Sequence, residues 1–312
     1  MSETHEDTAV AERVDIRAVP VRHYGRWVAA AIIVLLAAIV VHSVVTNRAM
    51  QWGLVGDYLF NDRVLRGLQN TLVLTAISMV IGVVGGVLLA VMRLSPNPLT
   101  SGAAGLYIWL FRGTPLITQL IIWNYLAQFY PRLGIGIPFG PTFVSADTNA
   151  LISPLLAALL GLGLNEAAYM AEIVRGGIMS VDQGQLEAAS ALGMSRGRTL
   201  RRIILPQAMR VIIPPTGNET IAMLKTTSLV TVIAYFELMN AVQQIYAQNY
   251  RIAPLLIVAA LWYLFLTSIL TLIQMVIEKR FSRGAARPAA RQKTWGSRML
   301  GFSFGAREQG MT

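Results

Sequence analysis

The feature that most restricts this chain is a series of charge-poor apolar runs, each long enough to cross a lipid bilayer. A hydrocarbon core about 30 Å thick needs about 20 apolar helical residues. Trp27 to Thr46 fits, with Arg26 and Arg48 at its ends. No charge falls between Arg66 and Arg93, and Leu68 to Met92 is a second run. Gly113 to Pro131 is the third, entered from about Gly105. Leu151 to Val174 is the fourth and carries Glu166 and Glu172. Ile212 to about Leu238 is the fifth and carries Glu219 and Lys225. Glu237 stands at its outer end, where water would solvate it. The sixth run lies between Arg251 and Glu278. Only helices or closed barrels satisfy the backbone in lipid. The runs are continuous rather than alternating, which excludes a barrel. The sequence predicts an all-α polytopic membrane protein with about six transmembrane helices.

Composition agrees. Hydrophobic residues make up 54% and charged residues 13%, against roughly 25% charged in a soluble domain. The net charge of +10 would point to nucleic acid in a soluble protein, so its distribution must decide. With the N-terminus placed inside, twenty basic residues fall on inner segments, five on outer ones, and Lys225 within the membrane. That asymmetry sets both termini in the cytoplasm. It also accounts for the net charge without nucleic acid. Trp27–Thr46 lies behind a 26-residue polar leader, too long and too late for a signal peptide, and reads as a retained helix. There is no cysteine, and the three histidines all precede residue 43. Cysteine-based metal sites and thiol nucleophiles are excluded, and no later segment can build a histidine triad.

The longest inner loop runs through Gln185 to Pro215. Leu186 to Leu192 predicts a short helix, Gly193 its C′ residue, and Ser195 the N-cap of a second helix that stops near Pro206. Gly193-Met194-Ser195-Arg196-Gly197 matches a nucleophile elbow, but no strand precedes it and no histidine follows. A DNA-binding helix–turn–helix fits the arginines, yet no third helix closes a core. A merely basic surface loop explains the arginines, but not the alanine face and the glycine turn.

Glu187-Ala188-Ala189, then Gly193, Ile203 and Leu205-Pro206 at the pattern's spacing, resemble the EAA loop of membrane subunits of bacterial ABC importers. Further segments resemble polar amino-acid permeases of the histidine/glutamine/arginine type. These are Phe111-Arg112-Gly113-Thr114-Pro115-Leu116 with Gln119, Ala171 to Gly177, Pro206 to Arg210, and Pro214-Pro215 with Gly217-Asn218. Thr226 stands where that family often has Asp. The resemblance implies a core over residues 67–280 with a coupling loop at 185–206. Residues 1–26 are then a cytoplasmic leader, residues 27–46 an extra N-terminal transmembrane helix, and residues 281–312 a basic cytoplasmic tail.

No Walker A sequence is present, since none of the three lysines follows glycine. The resemblance implies a non-enzymatic permease in the bacterial inner membrane. ATP and magnesium would bind a separate cytoplasmic ATPase dimer, met by Glu187, Ala188, Ala189, Gly193, Ile203, Leu205 and Pro206. The other implied partners are an extracytoplasmic solute-binding protein, a second permease subunit of the same or a paired chain, and an amino-acid substrate.

Charges at bilayer depth are costly and face a cavity or a partner. Asn165, Tyr169 and Glu172 share a helix face, with Glu166 about 100° away. Asn218, Lys225 and Ser228 share a face of the fifth run. Glu219 points elsewhere, so Lys225 requires a carboxylate on another helix or on a substrate. The candidate pathway residues are Asn165, Glu166, Tyr169, Asn218, Glu219, Lys225 and Ser228, with no metal ligands. Glu172 sits close enough to Arg175 for a structural pair, and Gly82 and Gly86 predict close helix packing. Arg112 is expected to extend to the inner interface. The competing reading is a self-contained ion-coupled secondary transporter or channel, with Glu166, Glu219 and Lys225 as ion sites.

Overall fold

The computed structural model describes residues 24–137 and 140–281. The predicted leader before Tyr24 and the tail after Phe281 lie outside the described residues. The chain divides into two units, residues 1–52 and 53–312. The first contains α1 (Tyr24–Thr46), followed by a 3₁₀ turn at Arg48–Met50. Helix α2 (Trp52–Leu59) begins at the boundary.

The second unit is built on α3 (Asp62–Arg93) and α8 (Pro154–Met179). Asn61 caps α3 by accepting from the Arg63 amide at 2.9 Å. Its C-terminus meets Ser95-Pro96-Asn97-Pro98, where two prolines forbid continuation. Asn97 then caps α4 (Pro98–Gly113), with Pro98 at its first position. Gly82, Gly85 and Gly86 of α3 face Glu166, Ala167 and Met170 of α8. Small residues there let the two backbones approach closely.

Apolar side chains form three clusters ordered along α3. Val64 and Leu68 pack with Leu238, Val242, Leu255 and Val258. Leu74 and Met79 pack with Leu120, Leu162, Met223 and Val230. Ala90 packs with Met170, Val174, Ala208 and Ile212. Each cluster joins elements distant in sequence, so the core depends on tertiary packing along the whole height of α3.

Among the described residues four single helices are long and apolar enough to cross a membrane, and two bent pairs raise the number to as many as six. The third predicted run needs correction. It is not one helix: α4, which starts well before the expected entry near Gly105, meets α5 (Leu116–Asn124) at a 101° bend, as a broken span or a re-entrant loop. Gly113-Thr114-Pro115 makes that bend, because Pro115 cannot donate to a continuing helix. A short α6 (Leu126–Phe129) leads into an unpredicted hairpin of β1 (Arg132–Gly136) and β2 (Thr142–Asp147), followed by α7 (Thr148–Leu151).

The fifth run is also not one helix. After α9 (Gln183–Ala191) and α10 (Arg196–Thr199), a π turn at Leu200–Ile204 leads into α11 (Leu205–Thr226). Pro206 therefore does not stop the second loop helix. The Leu205 amide bonds back five residues to the Leu200 carbonyl, so the wider turn accommodates the proline. A 3₁₀ segment at Thr227–Ile233 follows, and α12 (Leu238–Asn249) resumes at 47°. Ala234 occupies the left-handed region at φ 55° in this break. Helix α13 (Ile252–Phe281) completes the unit.

The break overturns the expected exposure of Glu237. Its side chain is fully buried and caps α12, accepting from the Met239 and Asn240 amides at 2.8 and 2.7 Å. The Tyr263 hydroxyl donates to it at 3.1 Å, and Thr71 lies at 3.4 Å. Four donors replace the water that sequence reading assigned to it.

Candidate functional site

Asn165, Glu166 and Tyr169 of α8 and Glu219 of α11 line one cavity of about 250 Å³. Leu116 of α5, Ala222, Met223 and Thr226 of α11, and Leu229 of the 3₁₀ segment complete its wall. Two carboxylates thus approach one space from facing helices. One oxygen of Glu166 is buried without a hydrogen-bond partner. The Glu166 stem lies against Gly82, where an added β-carbon would fall 2.3 Å from Cγ. Close packing on α3 therefore directs that carboxylate.

The wall is held by the bend between α4 and α5. The Gln119 side-chain amide donates to the Phe111 carbonyl at 2.9 Å, to Thr114 Oγ1 at 2.7 Å and to the Thr114 carbonyl at 3.2 Å. Asn165 donates to the same Phe111 carbonyl at 2.9 Å and to Gln119 Oε1 at 3.2 Å. Carbonyls freed by the Gly113–Pro115 turn are satisfied this way, and Asn165 is tied to the bend. The shared Phe111 carbonyl was invisible to helical periodicity, because it depends on a chain reversal. The Arg112 guanidinium lies over the Tyr169 ring, 5.1 Å from the centroid. A cation–π contact of this kind places positive charge beside the cavity's aromatic wall.

The other three pathway candidates lie outside this cavity. Asn218 accepts from Gln274 of α13 at 2.9 Å. The Ser228 hydroxyl donates to the Lys225 carbonyl at 2.7 Å. Lys225 is exposed. Among the described residues the salt bridge found joins Arg175 and Glu172 at 2.7 Å, so no carboxylate of those residues reaches Lys225. A larger groove of about 500 Å³ between α3, α8, α11 and α13 is almost wholly apolar and contains none of the seven candidates.

The coupling-loop residues form a helix–turn–helix. Helix α9 carries Glu187, Ala188 and Ala189. Its C-terminus reverses at Gly193, whose φ is +66°. The Met194 amide bonds to the Ala189 carbonyl at 3.0 Å and the Gly193 amide to Ser190 at 3.0 Å. The left-handed residue closes the helix as its glycine requires. Ser195 starts α10 with extended backbone but makes no side-chain cap bond. Ala189 is buried and Glu187 exposed. Ile203 lies in the π turn, and Leu205 and Pro206 open α11. The loop therefore runs without interruption into the helix that carries Glu219.

Residues 82–283 match the family model described as binding-protein-dependent transport system inner membrane component. The arginine transport system permease protein ArgU of Corynebacterium glutamicum is 50% identical over 89% of this chain and 87% of its own length. The nopaline transport system permease protein NocM of Agrobacterium fabrum is 38% identical over 69% of this chain and 86% of its length. A crystal structure of an amino acid ABC transporter with histidines aligns with a TM-score of 0.60 at 35% identity, covering 70% of this chain and 94% of that one. An inward-facing structure of the MetNI methionine transporter shares the fold, with a TM-score of 0.55 at 19% identity over 71% of this chain and 97% of that one. These matches decide against a self-contained ion-coupled transporter. A polytopic helical chain, discontinuous helices around a polar cavity and this body of likeness have one reading: the chain belongs to the binding-protein-dependent inner membrane components, as an amino-acid ABC importer permease subunit.

Proposed function

We propose that the cavity is part of the path taken by a cationic amino acid. The observation that carries this is the pair of carboxylates, Glu166 and Glu219, on the wall of one 250 Å³ space. Two carboxylates with one guanidinium, that of Arg112, beside them leave a negative balance that favours a substrate bearing an extra positive charge. Tyr169 offers a ring face and Asn165 a polar edge beside them. The likeness to an arginine permease supports the same class. Asn218, Lys225 and Ser228 belong to a second stretch of the path, where exposed Lys225 meets the substrate carboxylate or an acid on a second permease subunit.

The α9–α10 turn is the site met by one subunit of a cytoplasmic ATPase dimer. Ala188 and Ala189 permit close approach, Glu187 offers a charge, and Ile203, Leu205 and Pro206 pass the movement into α11. ATP and magnesium bind those partners. A solute-binding protein delivers the amino acid at the opposite face. Both termini are cytoplasmic, and residues 27–46 are an added helix outside the 67–280 core.

Glu219→Gln tests the reading in vesicles containing the permease, its ATPase and its binding protein. Arginine uptake is expected to fall while neutral glutamine, if carried, is affected less. Unchanged arginine uptake with normal membrane abundance would remove Glu219 from the path.

A further inference from the structure

The β1–β2 hairpin presents an apolar face that is partly covered at Leu133 and Ala146 and open at Ile135 and Val144. Its register pairs Leu133 with Ala146, Gly134 with Ser145 and Ile135 with Val144. Side chains alternate across a strand. Leu133, Ile135, Val144 and Ala146 therefore share one face, and Gly134 and Ser145 the other. Ile135 is 79% exposed and Val144 68% exposed. An irregularity after Ile135 leaves Phe143 without a paired residue, and it too is exposed.

Charge distribution narrows what can cover this face. Arg132 and Asp147 oppose one another at the hairpin's base, and no charged residue lies between them in sequence. Between those two residues the polar rim of a protein interface would find only the Thr142 and Ser145 hydroxyls as polar side chains. Exposed Tyr125, Phe129 and Tyr130 immediately precede the hairpin. Tyrosines concentrate where a membrane meets water. The base is fixed to that level, since the Thr148 amide donates to the Pro131 carbonyl at 3.0 Å and its hydroxyl donates to the Tyr130 carbonyl. A two-stranded hairpin alone is marginally stable in water. Its unpaired edges forbid entry to the hydrocarbon core. Only the interfacial layer accommodates both its apolar face and its edges.

We propose that the β1–β2 hairpin lies on the outer membrane-water interface with its Ile135/Val144 face in lipid. The proposal rests on the topology above, with the 132–147 segment outside. It gives the loop a mechanical role: a lipid-seated strap that holds the outer end of the bent α4–α5 span at constant depth.

The chain's lack of cysteine makes the test direct. Single Val144→Cys and Ser145→Cys variants carry a nitroxide label, with the permease and its copurified ATPase in phosphatidylethanolamine/phosphatidylglycerol vesicles. At Val144→Cys, broadening by oxygen should persist while broadening by a water-soluble nickel chelate is lost. At Ser145→Cys, on the opposite face, the chelate should broaden the signal. Chelate broadening at Val144→Cys overturns lipid seating. Protection from both reagents at Val144→Cys, or dipolar broadening between labels, also overturns it by showing a protein partner or a second copy. Labelling of Ser145→Cys in intact cells by a membrane-impermeant maleimide tests the topology separately. Failure of that labelling would mark an inverted topology rather than an absent lipid contact.

Discussion

Replacing Gly86 by alanine adds one methyl group where α3 and α8 leave no room for it. The new carbon would lie 2.4 Å from Met170 Cβ and 2.9 Å from both the Ala171 nitrogen and the Met170 carbonyl carbon. Ordinary carbon–carbon contact is about 3.5–4.0 Å, so the helices must separate by more than about 1 Å. Two of the three obstructing atoms are backbone, and Met170 is 1% exposed. No rotamer change relieves the contact. Overpacking of this kind costs about 1–3 kcal/mol, against a gain of ~1 kcal/mol from replacing glycine inside a helix. Separation would also loosen the neighbouring contacts at Gly82 and Gly85, so the cost is expected to dominate. Gly102→Ala is the control: it lies within α4, and nothing stands within 4 Å of its added carbon. Thermal unfolding in detergent, followed by a fluorescent C-terminal fusion, should show a lower midpoint for Gly86→Ala. The midpoint should be unchanged or higher for Gly102→Ala. Equal midpoints for Gly86→Ala and the natural chain would refute the packing argument, as would an equal loss in the control.

Three other perturbations follow from the polar contacts. Glu237→Ala orphans donors from Thr71, Met239, Asn240 and Tyr263, each worth about 1–3 kcal/mol if left unsatisfied in a buried site, and should greatly reduce folded protein in the membrane. Glu237→Gln keeps an acceptor oxygen and should lose less; equal loss would show that charge, not acceptance, matters. Gln119→Leu removes the bonds to Phe111 and Thr114, and uptake should fall more than abundance; full uptake would leave the bend without need of that side chain. Gly193→Val places a β-branched residue at φ +66°, and should abolish ATPase copurification while membrane abundance persists, with Gly102→Ala, outside that turn, as an unaffected control.

Long uniform elements were legible because their signal is local and repeated. The runs containing α1, α3 and α13 needed only length and absence of charge, and that of α8 length and apolar content despite Glu166 and Glu172. Gly193 was legible because a helix end that turns left-handed demands glycine. The discontinuities were not, since a break is stabilised by residues far away. The α4–α5 bend is held by Asn165, fifty-four residues from the Phe111 carbonyl it binds. Glu237 looked like an outer-end carboxylate because the apolar run gave no sign that its chain reverses into Thr71 and Tyr263. Pro206 read as a stop because a π turn needs only one displaced hydrogen bond, which leaves no compositional trace. Of the pathway candidates, helical spacing placed Asn165 and Tyr169 on one face, and both line the cavity with Glu166 and Glu219. Asn218, Lys225 and Ser228 lie outside that cavity, because spacing along one helix does not say which neighbouring helices close a space.

The two discontinuities border the same space. Leu116, at the start of α5, lines the cavity on one side, and Thr226 and Leu229, at the change from α-helix to 3₁₀ segment, line it on the other. Non-helical backbone at membrane depth is tolerated only where protein buries it or a cavity hydrates it. The side-chain bonds of Gln119 and Asn165 meet that condition at one break, and the Glu237 cap meets it at the other. Two breaks flanking a pair of carboxylates give the cavity walls that can shift without unwinding the long helices behind them. Helices α3 and α8, packed through glycine, form the rigid side. Helix α11, continuous with the α9–α10 turn through the π segment, forms the side on which a displacement at the loop would be felt. Glu166 stands on the rigid side and Glu219 on the connected one. On the path proposed above, a movement of α11 would change the spacing of the two carboxylates, and with it the hold on a cation.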